Sequence, residues 1–242
     1  MNFHAMTRRS LLHAVFALAL VAAPLRAGEA KYLSAGQPDT LHLLAPPAAA
    51  DSLEGRAELE ATFAVHTTAA PELIARAADE NKFTIFHFAP VIGAWFIPGK
   101  FPKTEALFKE VETEAKAVTD DAKNHFQRPR PYHIAPQRFP HSIEPEDPTH
   151  YSYPSGHSTR GTVFAALLAE LIPEKREALL EKGREIGWLR VIGGVHFPSD
   201  VFAGRVLGQA LAREFLRSEK FQADLAAAHA ELAAAGHGPV YQ

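Results

Sequence analysis

The chain of 242 residues contains no cysteine. Disulfides, a thiolate nucleophile and zinc–thiolate centres are therefore excluded, and stability has to come from packing. An excess of either charge is also missing. Its 25 Lys and Arg stand against 28 Asp and Glu, for a formal charge of −3, so no surface for nucleic acid or an anionic membrane is expected. Beyond the N-terminal segment no apolar run is long enough to span a bilayer; the longest, Val163 to Ile172, is interrupted by Glu170. Internal repeats and a mid-chain shift of composition are absent, and no useful β alternation follows Tyr151. With 47% hydrophobic residues, this length suits one sizeable core.

What is present begins with a leader. Arg8 and Arg9 precede an apolar run from Leu11 to Ala23, broken only by His13, and Pro24 and Leu25-Arg26-Ala27 follow. This is the three-part form of a secretory signal, too short for a spanning helix, with an uncleaved anchor as the alternative. Thr7 to Leu12 also has the twin-arginine pattern, and the expected destination is the periplasm. Loss of residues 1–27 removes Arg8, Arg9 and Arg26 and takes the formal charge from −3 to −6. Residues 28–53, with Pro46-Pro47 and the alanines after them, read as an irregular arm, and 54–242 as one helical domain.

Helical periodicity dominates that domain. Helices are expected from Ser52, over Pro71–Ala78, over Pro102–Phe126, over Ser155–Leu171, from Pro173 to about Leu189, over Pro198–Phe215 and over Glu219–Ala234. Asn81–Trp95, rich in Phe and Ile, is expected to be a buried helix made irregular by Pro90 and Gly93, with a strand as the alternative. Seven prolines between residues 127 and 154 argue against regular helix there, and a loop of that length tends to be functional. The fold class is all-α.

Three blocks carry chemistry. Lys123, Arg128 and Arg130 lie where the amphipathic helix ends; cations favoured by a helix C-terminus would explain any one of them. Tyr153-Pro154-Ser155-Gly156-His157 precedes an apolar helix, with Ser155 as N-cap and free first-turn amides able to bind an anion; alone, it is an ordinary helix start. In the third block, Arg190 is followed by Gly193-Gly194, His196, Pro198 and Asp200. Asp200, four residues after His196, can fix its tautomer and leave the other nitrogen free, while a surface ion pair at a helix cap is the plainer reading.

In this order, Lys123-x6-Arg130-Pro131, Pro154-Ser155-Gly156-His157 and Arg190-x5-His196-x3-Asp200 resemble the signature of the type 2 phosphatidic acid phosphatase superfamily. The length and export signal are similar to its bacterial class A non-specific acid phosphatases. The resemblance implies hydrolysis of small phosphomonoesters without metal or other cofactor, in a homodimer. It casts His196 as nucleophile forming a phosphohistidine, Asp200 as its orienter and His157 as the proton donor. Lys123, Arg130, Ser155, Gly156 and Arg190 become the phosphate site. Leu189 departs from the pattern, which usually has Ser there, and removes a hydroxyl contact to phosphate. Three rivals share parts of the pattern: a vanadium-dependent haloperoxidase, holding vanadate in the same residues; a membrane lipid phosphatase, which lacks its spanning helices here; and a non-catalytic periplasmic phosphate binder. His133, His141 and His150 are read as surface or substrate-edge residues, and Tyr132, Phe139, Tyr151 and Tyr153 as packing or entrance residues.

Overall fold

The computed structural model describes residues 30–139, 143 and 151–237. The leader read over 1–27 lies outside them, as do His141 and His150. Among the described residues ten α-helices run in chain order: α1 (Thr40–Leu43), α2 (Leu53–Thr68), α3 (Pro71–Asp79), α4 (Ala89–Ile92), α5 (Pro102–Phe126), α6 (Pro131–Ile134), α7 (Gly156–Leu171), α8 (Arg176–Ile192), α9 (Pro198–Arg217) and α10 (Glu219–Ala234). Among the described residues there is no strand, and no helix is long and apolar enough to cross a membrane.

The central helix is α7, packed between α8 and α9, with α5 and α10 closing the bundle. Its sequence is apolar on nearly every side, and Val163, Phe164, Leu167, Leu168 and Leu171 are all buried. A helix without a polar face has to be surrounded, which places it at the middle. Close approach to α9 depends on Gly204. A Cβ there would lie 2.6 Å from the Ser155 carbonyl oxygen and 2.8 Å from the Ser158 Cβ. Gly204→Ala is therefore expected to cost about 1–3 kcal/mol of stability through overpacking, read as a lower midpoint in urea unfolding.

The amphipathic helix α5 keeps its expected bounds. Pro102 suits its first turn, and Leu107, Phe108, Val111 and Ala115 form the buried stripe. The described part of the arm, residues 30–53, is less irregular than expected. Asp39 caps α1 through the Leu41 and His42 amides, and Tyr32, Leu33 and Leu44 belong to the main core. The arm is fixed because the Glu114 carboxylate on α5 accepts the amides of Lys31, Tyr32 and Leu33 at 2.8–2.9 Å. Donors that no strand or helix would satisfy thus find a side chain instead.

Asn81–Trp95 does not form one helix. It breaks into 3-10 turns at Glu80–Lys82 and Ile85–Phe88 followed by α4. Pro90 sits in the first turn of α4, and Gly93, at φ 137°, stops it. The proline-rich stretch in turn holds more helix than expected: Pro131 starts α6, and a 3-10 turn covers Pro136–Arg138. Proline at a helix start loses no hydrogen bond, so spaced prolines permit short helices they would forbid in the interior.

Candidate active site

The site forms where α5 ends, α7 begins and α8 turns into α9. The turn is made by Gly194, at φ 71°. It brings the amides of Val195 and His196 back onto the Arg190 carbonyl at 3.1 and 3.3 Å, so Arg190 and His196 come from opposite sides of one sharp bend. Pro198 then opens α9, with Asp200 in its first turn.

His196 is almost completely buried. Its Nδ1 lies 3.2 Å from the Asp200 Oδ2. A carboxylate accepts, so Nδ1 carries the proton and Nε2 keeps its lone pair. Nε2 faces the Arg130 guanidinium at 3.2 Å, and the same Arg130 nitrogen donates to the Val195 carbonyl at 2.9 Å. Burial, followed by the cations of Arg130, Lys123, Arg190 and Arg128, holds the His196 pKa well below the usual imidazole value. The ring is thus a neutral base with one nitrogen directed at a guanidinium.

His157 stands in the first turn of α7. Its Nε2 is 2.9 Å from the Asn81 carbonyl oxygen, so that nitrogen is the N–H and Nδ1 is the reactive one. The ring is hemmed in although part of the residue reaches the surface. Burial, Arg190 and Arg160 lower its pKa well below the ordinary value. Asn81 also takes Arg190, whose guanidinium donates to the Asn81 Oδ1 at 3.0 Å. One short 3-10 turn therefore holds groups from the second and third blocks.

Ser155 is the N-cap of α7, accepting from the Ser158 amide at 3.4 Å. Its own amide donates to the Asp200 carbonyl at 2.9 Å, tying α7 to α9. At Gly156 an added Cβ would meet only Thr119, at 4.0 Å, so protein packing does not explain that glycine. Lys123 is buried, and its ammonium donates to the carbonyls of Tyr151 at 2.6 Å and Ser152 at 3.2 Å. Burial and the nearby Arg130 push its pKa down to about 7.

All eight residues singled out from the sequence thus belong to one connected cluster. Several others were missed. Ser152 donates to the Asp200 Oδ2 at 2.5 Å and lies 3.3 Å from the His196 Nδ1. Arg128 binds the Asp200 Oδ1 at 2.6 Å and Glu58 on α2 at 2.6 Å. His66 on α2 lies 2.8 Å from the Ile192 carbonyl oxygen and braces the glycine turn. Arg128 stood out as a cation; nothing local marked Glu58, Asn81 or His66. Leu189 is buried with Ala77, Ile143, Ile192 and Val195 in a small apolar cluster, so it serves packing. Phe139 packs against His66 and Phe63. Tyr153 packs against Phe126, and its hydroxyl donates to the Ala45 carbonyl. Among the described residues no three His, Asp or Glu side chains converge as a metal site.

The PAP2 superfamily matches residues 113–223, a span that includes Lys123 through Asp200. A non-specific acid phosphatase of Salmonella typhimurium is 35% identical over 202 residues, covering 78% of each chain. A non-specific acid phosphatase of Salmonella typhi is 32% identical, over 84% of this chain and 88% of its own. The solved structure of a bacterial vanadium-dependent iodoperoxidase superposes with TM-score 0.53 at 20% identity, over 72% of this chain and 52% of that one, a likeness of fold. With this identity over most of both chains and the matching family span, the chain belongs to the PAP2 superfamily, among its non-specific acid phosphatases.

Proposed function

We propose that this acid phosphatase cleaves phosphomonoesters in two steps through a phosphohistidine on His196. The observation that carries the reading is the tautomer of His196: Asp200 holds Nδ1, and Nε2 is aimed at Arg130. Lys123, Arg130 and Arg190 take the phosphoryl oxygens, with Ser155 and the amides of Gly156 and His157 as further donors. Nε2 attacks phosphorus, the ester P–O bond breaks, and the His157 Nδ1–H protonates the departing alcohol. Neutral His157 then takes a proton from water, which attacks the phosphohistidine and releases phosphate and His196. Asp200 stabilises the charged ring between the two steps.

Mixing enzyme with phosphorus-labelled p-nitrophenyl phosphate, with EDTA present, and quenching in alkali tests this. Label is expected on the peptide containing His196. A folded, active enzyme that carries no label there, or that loses activity to EDTA, would overturn the reading.

The electrostatics favour acidic conditions. Lys123, with its pKa at about 7, is cationic below that pH and neutral above it. The KM for p-nitrophenyl phosphate is expected to rise as pH passes above about 7, and Lys123→Arg, which cannot deprotonate, is expected to flatten that rise. Steady-state kinetics from about pH 5 to about pH 9 check it; an unchanged slope in the variant would remove Lys123 from the phosphate site. The leader pattern over residues 1–27 supports export to the periplasm. Exposed Trp188 and Phe202 on α8 and α9 supply apolar surface for a homodimer, which sedimentation of the mature chain would read.

A further inference from the structure

The first block contains a cation that the phosphate site does not use. Arg128 lies two residues before Arg130, yet its guanidinium is directed away from the phosphate donors. Its Nη1 donates to the Asp200 Oδ1 at 2.6 Å and to the Ser199 hydroxyl at 2.7 Å. Its Nη2 donates to the Glu58 Oε2 at 2.6 Å, and its Cζ lies 3.9 Å from the centre of the Phe197 ring. The other Glu58 oxygen accepts the Ser199 amide at 2.7 Å. Arg128 is 6% exposed, Glu58 14% and Asp200 0%, so these charges interact in a medium where each matters far more than at the surface.

We propose that Arg128, fixed by Glu58, is the positioning residue of the nucleophile: it takes one oxygen of Asp200 so that the other holds His196 without drawing a proton onto it. This rests on the phosphohistidine reading. The division of contacts is the basis. Oδ1 belongs to Arg128, while Oδ2 is shared among the Ser152 hydroxyl, the Phe197 amide at 2.8 Å and the His196 Nδ1 at 3.2 Å. His196 has the longest of these contacts, so Asp200 fixes the ring while most of its charge is answered elsewhere. The cations that hold the His196 pKa down are Arg130, Lys123, Arg190 and Arg128 itself. Asp200, in contact with the ring, favours its protonation, and Arg128 restrains it. Remove the guanidinium and a buried carboxylate is left with one oxygen unanswered. The imidazole it orients can then take up a proton from solvent and answer that charge, and a protonated His196 has no lone pair for phosphorus.

The alternative is a merely structural role, with Arg128 knitting α2 to the start of α9. A direct contact with substrate phosphate would be a third role. Three variants separate them, assayed with p-nitrophenyl phosphate: Arg128→Met, Arg128→Lys and, as control, His196→Ala. For Arg128→Met the expected result is a fall in kcat of about 10–100-fold, with KM unchanged within about twofold. The acid limb of its kcat/KM profile is expected to move to higher pH, because His196 then protonates more readily. Arg128→Lys keeps the charge beside Asp200 and is expected to return the acid limb toward its original position, with kcat still reduced since one ammonium cannot bridge Glu58 and Asp200 as a guanidinium does. A raised KM with unchanged kcat would make Arg128 a phosphate ligand, and a lower melting temperature with kcat and the acid limb unmoved would make it structural; either overturns the proposal. If Arg128→Met does not fold, Arg128→Lys decides alone: unchanged kcat overturns the proposal, while reduced kcat at constant KM supports it. An active His196→Ala would instead sink the phosphohistidine reading itself, whatever Arg128 does.

Discussion

Replacement of His196 by Ala is expected to lower kcat for p-nitrophenyl phosphate by about four to six orders of magnitude, as loss of a nucleophile does elsewhere. The protein should nevertheless stay folded. Truncation of His196 removes one ring from a tight site, but it leaves no charge stranded. Asp200 keeps Arg128, Ser152 and the Phe197 amide, so the cost is that of a cavity and one lost hydrogen bond, about 1–3 kcal/mol. Lys123, Arg130 and Arg190 stay in place, and inorganic phosphate should still bind. The expected combination is therefore a near-native melt, retained phosphate binding by calorimetry, no turnover and no label after alkaline quench. Retained turnover in a folded His196→Ala protein would mean that water attacks the ester directly.

How much of this was legible in the sequence depended on whether the information was local. Helix α10 keeps its expected bounds because its N-terminal cap, Ser218, and an Ala-rich run sit next to each other in the chain. The same holds for α5, where Pro102 and a regular apolar stripe suffice. Asn81–Trp95 defeated the same method. Its many aromatics signalled burial, but burial does not specify helix, and Pro90 and Gly93 decide the backbone. The site divides in the same way. His196 and Asp200 sit one helical turn apart, so a sequence pattern carries their contact. Glu58 lies 70 residues before Arg128 on a helix that shows no other mark of function. Asn81 reaches His157 through its backbone carbonyl, and any residue type has one. Leu189 stood out as a departure from the family pattern, but its packing partners Ala77, Ile143 and Val195 are distant in sequence or carry no local mark. Composition also hid the local field. A formal charge of −3 says nothing of four cations around one buried imidazole.

The effect of His157→Ala should depend on the alcohol that leaves. His157 presents Nδ1 because the Asn81 carbonyl holds Nε2–H, and a general acid matters in proportion to the basicity of the departing oxygen. An alkyl phosphate such as glycerol phosphate releases a strongly basic alkoxide, and its kcat/KM is expected to fall by about 10²–10⁴-fold. For p-nitrophenyl phosphate, whose phenolate is a stable anion, the first step should lose far less. Its second step still needs a base to activate water. The variant should therefore give a rapid burst of p-nitrophenol equal to the enzyme concentration, then slow turnover, with phosphohistidine trapped at His196. The pH profile should change as well. Burial and Arg190 lower the His157 pKa, so in the parent enzyme the protonated acid grows as pH falls, and the glycerol phosphate rate is lost as pH rises past that pKa in the complex. A bound phosphate dianion raises it from its value in the free enzyme. In His157→Ala that basic limb should flatten for glycerol phosphate. Equal losses for both substrates, with no burst and an unchanged basic limb, would remove His157 from proton transfer and leave it as a support for the Asn81 turn.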